Sequence, residues 1–169
     1  YARLLEEAVA ELRGAPISRD EDTELSVDVP AFLPDDYIVD TGQRLDIYRR
    51  LARAKASGDV DEVMAELRDR YGELPSEAAY YGALMQCRIT ARGLGATALE
   101  LRGSKLTLRW SSGGHGAPPA LVARAAAEPG RFKMQGGGVL RIALGAEVDE
   151  GARGRLAACS LALNVLATS

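Results

Sequence analysis

The sequence has 169 residues, of which 47% are hydrophobic and 27% are charged, a composition typical of globular proteins. A chain of this length buries a core without disulfide or metal support, which predicts one compact domain over residues 1–169. No apolar run approaches the roughly 18 residues that a membrane-spanning helix needs. Membrane-spanning and wholly disordered chains are therefore excluded by composition.

The net charge of −3 hides a strong asymmetry between the two halves of the chain. Residues 1–80 hold 19 acidic and 10 basic residues, whereas residues 81–169 hold 5 and 11, giving net charges of −9 and +6. Phosphate backbones select clustered positive charge, so a nucleic-acid contact would fall in the second half. The acidic first half suits a basic protein surface.

Cysteine and histidine are scarce, which argues against a zinc or haem site. Cys87 and Cys159 are far apart in the sequence, and His115 is the single histidine. Two separated thiols agree with a reducing compartment. The chain opens at Tyr1 without a methionine or a charged-then-apolar leader, and we expect a fragment of a longer protein rather than a secreted one.

The first predicted elements are a helix and a strand. Apolar residues recur at helical spacing over Tyr1–Leu12, and Gly14 and Pro16 end that pattern. The alternation from Glu24 to Val29 predicts a strand that is buried on one side.

Two helices are predicted next, separated by a glycine. Asp40 or Thr41 can cap the first, which Gly58 ends. Asp59, with Glu62 three residues later, resembles a capping box at the start of the second helix. An apolar stripe then continues up to the next glycine.

A third helix and a hairpin follow. Ser76 can cap a helix that ends near Gly93 or Gly95. Residues 97–101 and 105–110 read as two short strands, joined by the two-residue turn signal Gly103-Ser104.

The last part of the chain mixes helices and strands. We predict a helix over 119–127, strands over 131–134 and 139–144, and a final helix over 147–167. The result is an α+β fold: N-terminal helices packed with a small antiparallel sheet or hairpins, and a C-terminal helix. A weak internal boundary is predicted near residues 93–97.

Four carboxylates form a candidate binding surface on the second internal helix and just beyond it. Glu62, Glu66, Asp69 and Glu73 recur at spacings of three and four residues, which makes a continuous acidic face. One interpretation is a solvated side of the helix with local ion pairs. The other is a docking surface for arginines of another domain, which bind carboxylates through bidentate hydrogen bonds.

The arginines of the preceding helix have acidic neighbours and few aromatic residues around them, which disfavours base stacking and nucleic-acid binding. We expect intramolecular pairing for them. They are Arg44, Arg49, Arg50 and Arg53.

Two further patterns contain residue types that occur in metal or phosphate sites. Asp35, Asp36 and Asp40 could hold a divalent cation in a metal-dependent hydrolase, but such residues more often cap helices, and the calcium-loop spacing is absent. The loop 111–116 with His115 could cradle a phosphate or supply a base, yet the Lys-Ser/Thr pair of a phosphate-binding loop is missing. Neither pattern predicts catalysis.

Several sequence motifs, in the same order along the chain, resemble the C-terminal domain of bacterial transcription-repair coupling factors. The resemblance is strongest over residues 1 to about 95. The motifs are Tyr1-x-x-Leu4-Leu5-x-x-Ala8-Val9, Ala31-Phe32-Leu33-Pro34-Asp35-Asp36-Tyr37-Ile38, Arg44-Leu45-x-x-Tyr48-Arg49-Arg50-Leu51-Ala52 and Glu66-Leu67-Arg68-Asp69-Arg70-Tyr71-Gly72-Glu73-Leu74-Pro75.

The resemblance implies a parent that is an ATP-dependent DNA translocase of the helicase family. Such a parent binds double-stranded DNA, displaces stalled RNA polymerase and recruits UvrA for nucleotide-excision repair in the bacterial cytoplasm. ATP and magnesium would belong to the parent's motor, since no Walker loop occurs in this sequence. No catalytic residue, cofactor or metal is expected in this domain.

The resemblance also implies an autoinhibitory role. In this family the terminal domain docks on a UvrB-like module of the same chain and covers the surface that binds UvrA. The family's acidic contacts map onto Glu66 and Asp69, the centre of the acidic face. In the same motif, Tyr71 stands where the family frequently has phenylalanine. The alternative is a nucleic-acid-binding module that uses the basic second half. Its candidate residues are Arg88, Arg92, Arg102, Lys105 and Arg109.

Overall fold

The computed structural model describes residues 23–111, 116–136, 138–145 and 151–168. The helix predicted over Tyr1–Leu12 and the loop residue His115 lie outside these ranges. The elements are β1 (Glu24–Val27), α1 (Thr41–Arg53), α2 (Ser57–Tyr71), α3 (Ser76–Gly93), β2 (Ala98–Arg102), β3 (Lys105–Arg109), α4 (Pro119–Ala127), β4 (Phe132–Gln135), β5 (Val139–Ala143) and α5 (Ala152–Ala167). Each predicted helix and strand within the described residues is present, with ends shifted by a few residues.

The chain divides into two compact units. Among the described residues, the first unit comprises 29–89 and the second comprises 23–28 together with the residues from 90 onward. The second unit is therefore discontinuous in sequence, because β1 precedes the first unit and its neighbour β2 follows it. The division within α3 falls a few residues before the boundary predicted at 93–97.

The first unit is a helical cluster around a buried tyrosine pair. The rings of Tyr48 on α1 and Tyr81 on α3 meet edge to face at 5.2 Å. The hydroxyl of Tyr48 accepts a hydrogen bond of 2.8 Å from the backbone N–H of Leu33, which ties the preceding loop to the core. Such aromatic pairs add stability beyond the area that they bury.

Helices α2 and α3 approach closely at a glycine. A Cβ atom added at Gly82 would lie 2.9 Å from the Cε atom of Met64, which is closer than real Cβ contacts. A larger residue at this position would force the Met64 side chain to shift, because both residues are buried in the interface between the helices.

Arg88 is buried in the first unit, at 5% exposure, and caps a helix. Its guanidinium donates to the carbonyl oxygen of Ala52 at 3.1 Å and to that of Leu51 at 3.4 Å, near the end of α1. The carbonyl oxygen of Leu51 also accepts a hydrogen bond of 3.2 Å from the backbone N–H of Ala54, the C-cap of α1. A buried cation at the C-terminal end of a helix supplies a further donor there and complements the helix dipole. Arg88 is thus a structural residue, and the prediction that it contacts nucleic acid is wrong.

The second unit is built on a five-stranded sheet with the order β1-β2-β3-β5-β4. Strands β2 to β5 pair antiparallel, with Leu101 opposite Leu106 and Leu108 opposite Leu140. Strand β1 pairs parallel with β2, which places Leu25 beside Leu99. The sheet is therefore mixed rather than purely antiparallel, because β1 comes from a distant part of the chain and not from a hairpin.

One face of this sheet is buried. Leu99, Leu101, Leu106, Leu108 and Leu140 are at most 1% exposed. Helix α4 packs against β4 and against α5, whose buried residues include Cys159 and Leu163. The opposite face carries polar side chains, as the period of two in the strands predicts.

A polar cluster fixes the β2–β3 turn of the second unit. The carboxylate of Asp28 accepts a hydrogen bond from the guanidinium of Arg155 and another, of 2.9 Å, from the backbone N–H of Gly103. Gly103 has a φ of 56°, the left-handed conformation that the predicted two-residue turn needs. The cluster thus joins β1, the hairpin and α5 within one unit.

Candidate docking surface

The acidic surface, defined as Glu62, Glu66, Asp69 and Glu73, is positioned by α2. The helix begins at Ser57, two residues earlier than predicted, and Asp59 is its third residue rather than its cap. The Asp59 carboxylate reaches back to the backbone N–H groups of Lys55 and Ala56, at 3.2 and 3.1 Å. The predicted capping box of Asp59 and Glu62 is therefore wrong, and Glu62 is free to face solvent.

Helix α2 presents its carboxylates outward because its opposite side is apolar. The side chains that it buries have helical spacing, which leaves the intervening positions to solvent. The buried residues are Val60, Val63, Met64 and Leu67.

Two tyrosines hold the C-terminal end of α2. The hydroxyl of Tyr37 lies 3.0 Å from the carbonyl oxygen of Leu67 and 2.8 Å from that of Gly72, and its proton is shared between them. Burial raises the pKa of Tyr37, so the phenol remains a donor to a higher pH than an exposed tyrosine. The Tyr71 ring lies 5.8 Å from that of Tyr37, and the Tyr71 hydroxyl donates to Gln43 at 2.8 Å.

Glu66 is the anchored member of the acidic surface. Its side chain is 37% exposed, and its carboxylate forms an ion pair with Arg50 of α1 and lies 3.8 Å from Arg70 on its own helix. The hydrogen bond from Arg50, followed by the positive charges of Arg50 and Arg70, outweighs desolvation and lowers the pKa of Glu66. Glu66 therefore keeps its negative charge to a lower pH than an ordinary glutamate.

Asp69 and Glu62 are exposed on the same side of α2 as Glu66. Among the described residues no cation lies within ion-pair distance of either carboxylate. Glu73 is also exposed, but it follows Gly72, whose φ of 90° ends the helix. Three carboxylates are thus available to a partner around a fourth that is held in place.

The arginines of α1 act within the chain, as expected for three of the four. Arg50 pairs with Glu66, Arg49 with Asp46 at 3.1 Å, and Arg44 donates to the carbonyl oxygen of Ile38 at 2.7 Å. The bridging role of Arg50 between two helices, which orients Glu66, has no signal in the sequence beyond the general expectation of pairing.

The carboxylates considered as a metal site have other surroundings. Asp40 caps α1, and its carboxylate accepts a 2.8 Å hydrogen bond from the backbone N–H of Gln43. Asp35 and Asp36 are exposed in the preceding turn. Across the described ranges, no group of three or more His, Cys, Asp or Glu residues is arranged to hold a metal ion.

No helix in the described part of the chain is long and apolar enough to cross a membrane. Both cysteines are buried thiols, Cys87 in the first unit and Cys159 in the second.

Comparison with known proteins gives a consistent picture. A family model described as the TRCF domain matches residues 27–120. The transcription-repair-coupling factor of Myxococcus xanthus is 40% identical over 108 residues, which are 64% of this chain and 9% of that protein. The factor of Escherichia coli strain K12 is 32% identical over 141 residues, 80% of this chain and 12% of that protein.

A solved structure shares the fold. The crystal structure of the C-terminal domain of a transcription-repair coupling factor superposes with a TM-score of 0.65, at 19% identity, over 89% of this chain and 97% of that one. The chain spans about a tenth of the length of the two curated relatives. It belongs to the TRCF domain family, and its fold is that of the C-terminal domain of a transcription-repair coupling factor.

Proposed function

We propose that this domain is a regulatory, non-catalytic module that docks through its acidic surface on a UvrB-like module of the same coupling factor and thereby masks the binding of UvrA. The observation that carries the proposal is the arrangement on α2. Asp69 and Glu62 are exposed and unpaired among the described residues, and they flank a carboxylate whose position is fixed.

Charge complementarity supports a partner surface that contains arginine. The guanidinium group is planar and presents paired N–H donors that match the two oxygens of a carboxylate. Glu66 and Asp69 are three residues apart on one side of a helix, so one patch of arginines can reach both. The lowered pKa of Glu66 keeps this carboxylate anionic to a lower pH than an ordinary glutamate.

The expected strength of the contact suits a clamp that must open. An exposed ion pair contributes about 0–1 kcal/mol, whereas a hydrogen bond to a charged group that becomes buried contributes about 1.5–3 kcal/mol. Glu66 is already shared with Arg50 and Arg70, so Asp69 carries the larger part of the new contact. A few contacts of this kind hold a tethered domain closed without making it permanent.

Opening would follow from events elsewhere in the parent. Engagement of RNA polymerase or double-stranded DNA by a cytoplasmic ATP-dependent translocase shifts a closed-to-open equilibrium only by its difference in affinity for the two states. The domain itself would need no cofactor or metal for this role, since the proposed step is an exchange of contacts.

The proposal is tested by calorimetric titration of the chain into the UvrB-like module of the same parent, at 50 and 300 mM NaCl. Asp69→Arg is the main variant. Asp36→Arg, which reverses the same charge at an exposed position in the turn before α1, is the matched control.

Binding that weakens at high salt, is lost in Asp69→Arg and is kept in Asp36→Arg is the expected result. The second readout is the affinity of the full-length parent for UvrA, which should rise in Asp69→Arg. If UvrA affinity is unchanged when both Glu66 and Asp69 are reversed to lysine, the docking role is wrong.

A further inference from the structure

The solvent face of the sheet in the second unit carries a concentration of positive charge that the docking role does not use. In each strand the side chains alternate between the buried leucine face and this open face. Five exposed cations point to the open face from four neighbouring strands. They are Arg102, Lys105, Arg109, Lys133 and Arg141.

The strand register places like charges side by side on this face. Arg102 of β2 lies directly opposite Lys105 of β3, and Lys133 of β4 lies directly opposite Arg141 of β5. Like charges at directly opposed positions destabilise a sheet. Two such pairs on one face therefore lower the stability of the sheet. Proteins tolerate unfavourable local arrangements of this kind mainly at functional sites.

The five cations are not neutralised by their surroundings. Within the ranges that the structure describes, no carboxylate lies within 4.0 Å of a charged nitrogen of any of them. Arg102 donates to the hydroxyl of Ser26 and Arg141 to the amide of Gln135, both neutral acceptors. The acidic residues on the same face are Glu24 on β1 and Glu100 on β2, so carboxylates are present on the β1–β2 side of the face, whereas β4 and β5 carry none.

We propose that this basic sheet face binds the phosphate backbone of duplex nucleic acid. The cations span four adjacent strands, which at about 4.8 Å per strand gives a strip of about 14 Å. No aromatic side chain lies on this face of the five strands, so bases of a single strand have nothing to stack on. A continuous array of phosphates is the anion that matches a flat, basic, non-aromatic surface.

The cations on the basic sheet face differ in part from those that the sequence predicts for nucleic-acid binding. Arg88 is buried at the end of α1, whereas Arg102, Lys105 and Arg109 lie on the basic sheet face. Lys133 and Arg141 join them only through the register of β4 and β5. The proposed phosphate binding is independent of the docking proposal, because all of its residues belong to the second unit.

The test is fluorescence anisotropy of the 169-residue chain with a labelled 20-base-pair duplex of mixed sequence, at NaCl concentrations from 50 to 200 mM. The variant Lys105→Gln/Arg109→Gln removes two charges from the face. The control Arg53→Gln/Arg153→Gln removes the same charge from two exposed helix positions off the sheet.

Five phosphate contacts predict a salt slope of about −4.5, so the affinity of the native chain falls about 500-fold over this range. With two contacts removed, the slope becomes about −2.7 and the fall is about 40-fold. The control keeps the native slope. Circular dichroism verifies folding, and Lys133→Gln/Arg141→Gln replaces the first variant if that one does not fold.

Three outcomes would overturn the proposal. The first is no salt-dependent binding by the native chain, and the second is a control that loses as much binding as the variant. The third is equal or tighter binding of a poly-glutamate peptide of the same charge, which would assign the face to an acidic protein instead.

Discussion

The guanidinium of Arg50 on α1 holds the carboxylate of Glu66 on α2, so that one helix orients a binding residue of the next. We predict that Arg50→Gln raises the pKa of Glu66 toward its ordinary value, because the hydrogen bond from Arg50 is the main cause of its lowering. The measurement is an NMR titration of the Glu66 side-chain carboxyl.

Arg49→Gln is the control for this titration, since Arg49 lies one residue earlier and pairs with Asp46. An unchanged Glu66 titration in Arg50→Gln would show that the pair does not persist in solution.

Tyr37 supports the end of α2 through one hydroxyl. Tyr37→Phe removes the donor that serves the carbonyl oxygens of Leu67 and Gly72, and we expect a loss of about 1–2 kcal/mol in the free energy of unfolding. Urea denaturation measures it. Tyr80→Phe removes a hydroxyl from a half-buried position on α3 and should change stability by less than about 0.5 kcal/mol. Equal effects of the two substitutions would argue against the proposed support.

Gly82 permits the close contact with Met64, which makes alanine unfavourable there despite its higher helix propensity. We expect Gly82→Ala to lower the free energy of unfolding by about 1–3 kcal/mol, the range for an overpacked core. In contrast, Gly58→Ala on α2 meets no atom within 4 Å and should leave stability unchanged or raise it by up to about 1 kcal/mol.

The comparison of thermal or urea unfolding in these two variants separates packing from propensity. A Gly82→Ala variant as stable as Gly58→Ala would show that Met64 moves aside without cost.

Asp28 gives the second unit a dependence on pH. Desolvation raises its pKa, but the hydrogen bonds from Gly103 and Arg155 outweigh it, so the folded-state pKa lies below the ordinary value. The unfolded state then binds the proton more readily, and the stabilisation is complete above about pH 4 and is lost as the pH falls through the folded-state pKa.

Urea denaturation between pH 2.5 and 7 measures this contribution. The native chain should lose stability toward low pH more steeply than Asp28→Asn, which has no carboxyl to titrate at that position. Parallel curves for the two proteins would exclude Asp28 as a source of the dependence.

Local patterns in the sequence predict the elements but not their pairing. The β2–β3 hairpin follows from Gly103-Ser104 and the flanking alternation, and the structure has both strands there. The parallel pairing of β1 with β2 could not be predicted, because about 70 residues separate Leu25 from Leu99 and no local signal reaches that far.

The acidic surface could likewise be predicted from local spacing, but the ion pairing of its members could not. The spacing of Glu62, Glu66 and Asp69 fixes one side of a helix, so their common direction is a property of the sequence. That Glu66 is paired with α1 while Asp69 is open depends on how α1 packs beside α2, which is a tertiary fact. The burial of Arg88 also depends on tertiary packing, since its position in the sequence predicts an exposed cation.

The position of β1 also sets an order of events during synthesis. Strand β1 leaves the ribosome first, but its neighbour β2 follows only after residues 28–97 have been made. At 5–20 residues per second this interval lasts about 4–14 s. For that time the edge of β1 has no native partner strand, whereas the helices of the first unit are made within the interval and can pack on one another before β2 is complete. Nascent chains are therefore expected to acquire the helical unit first and to close the sheet last.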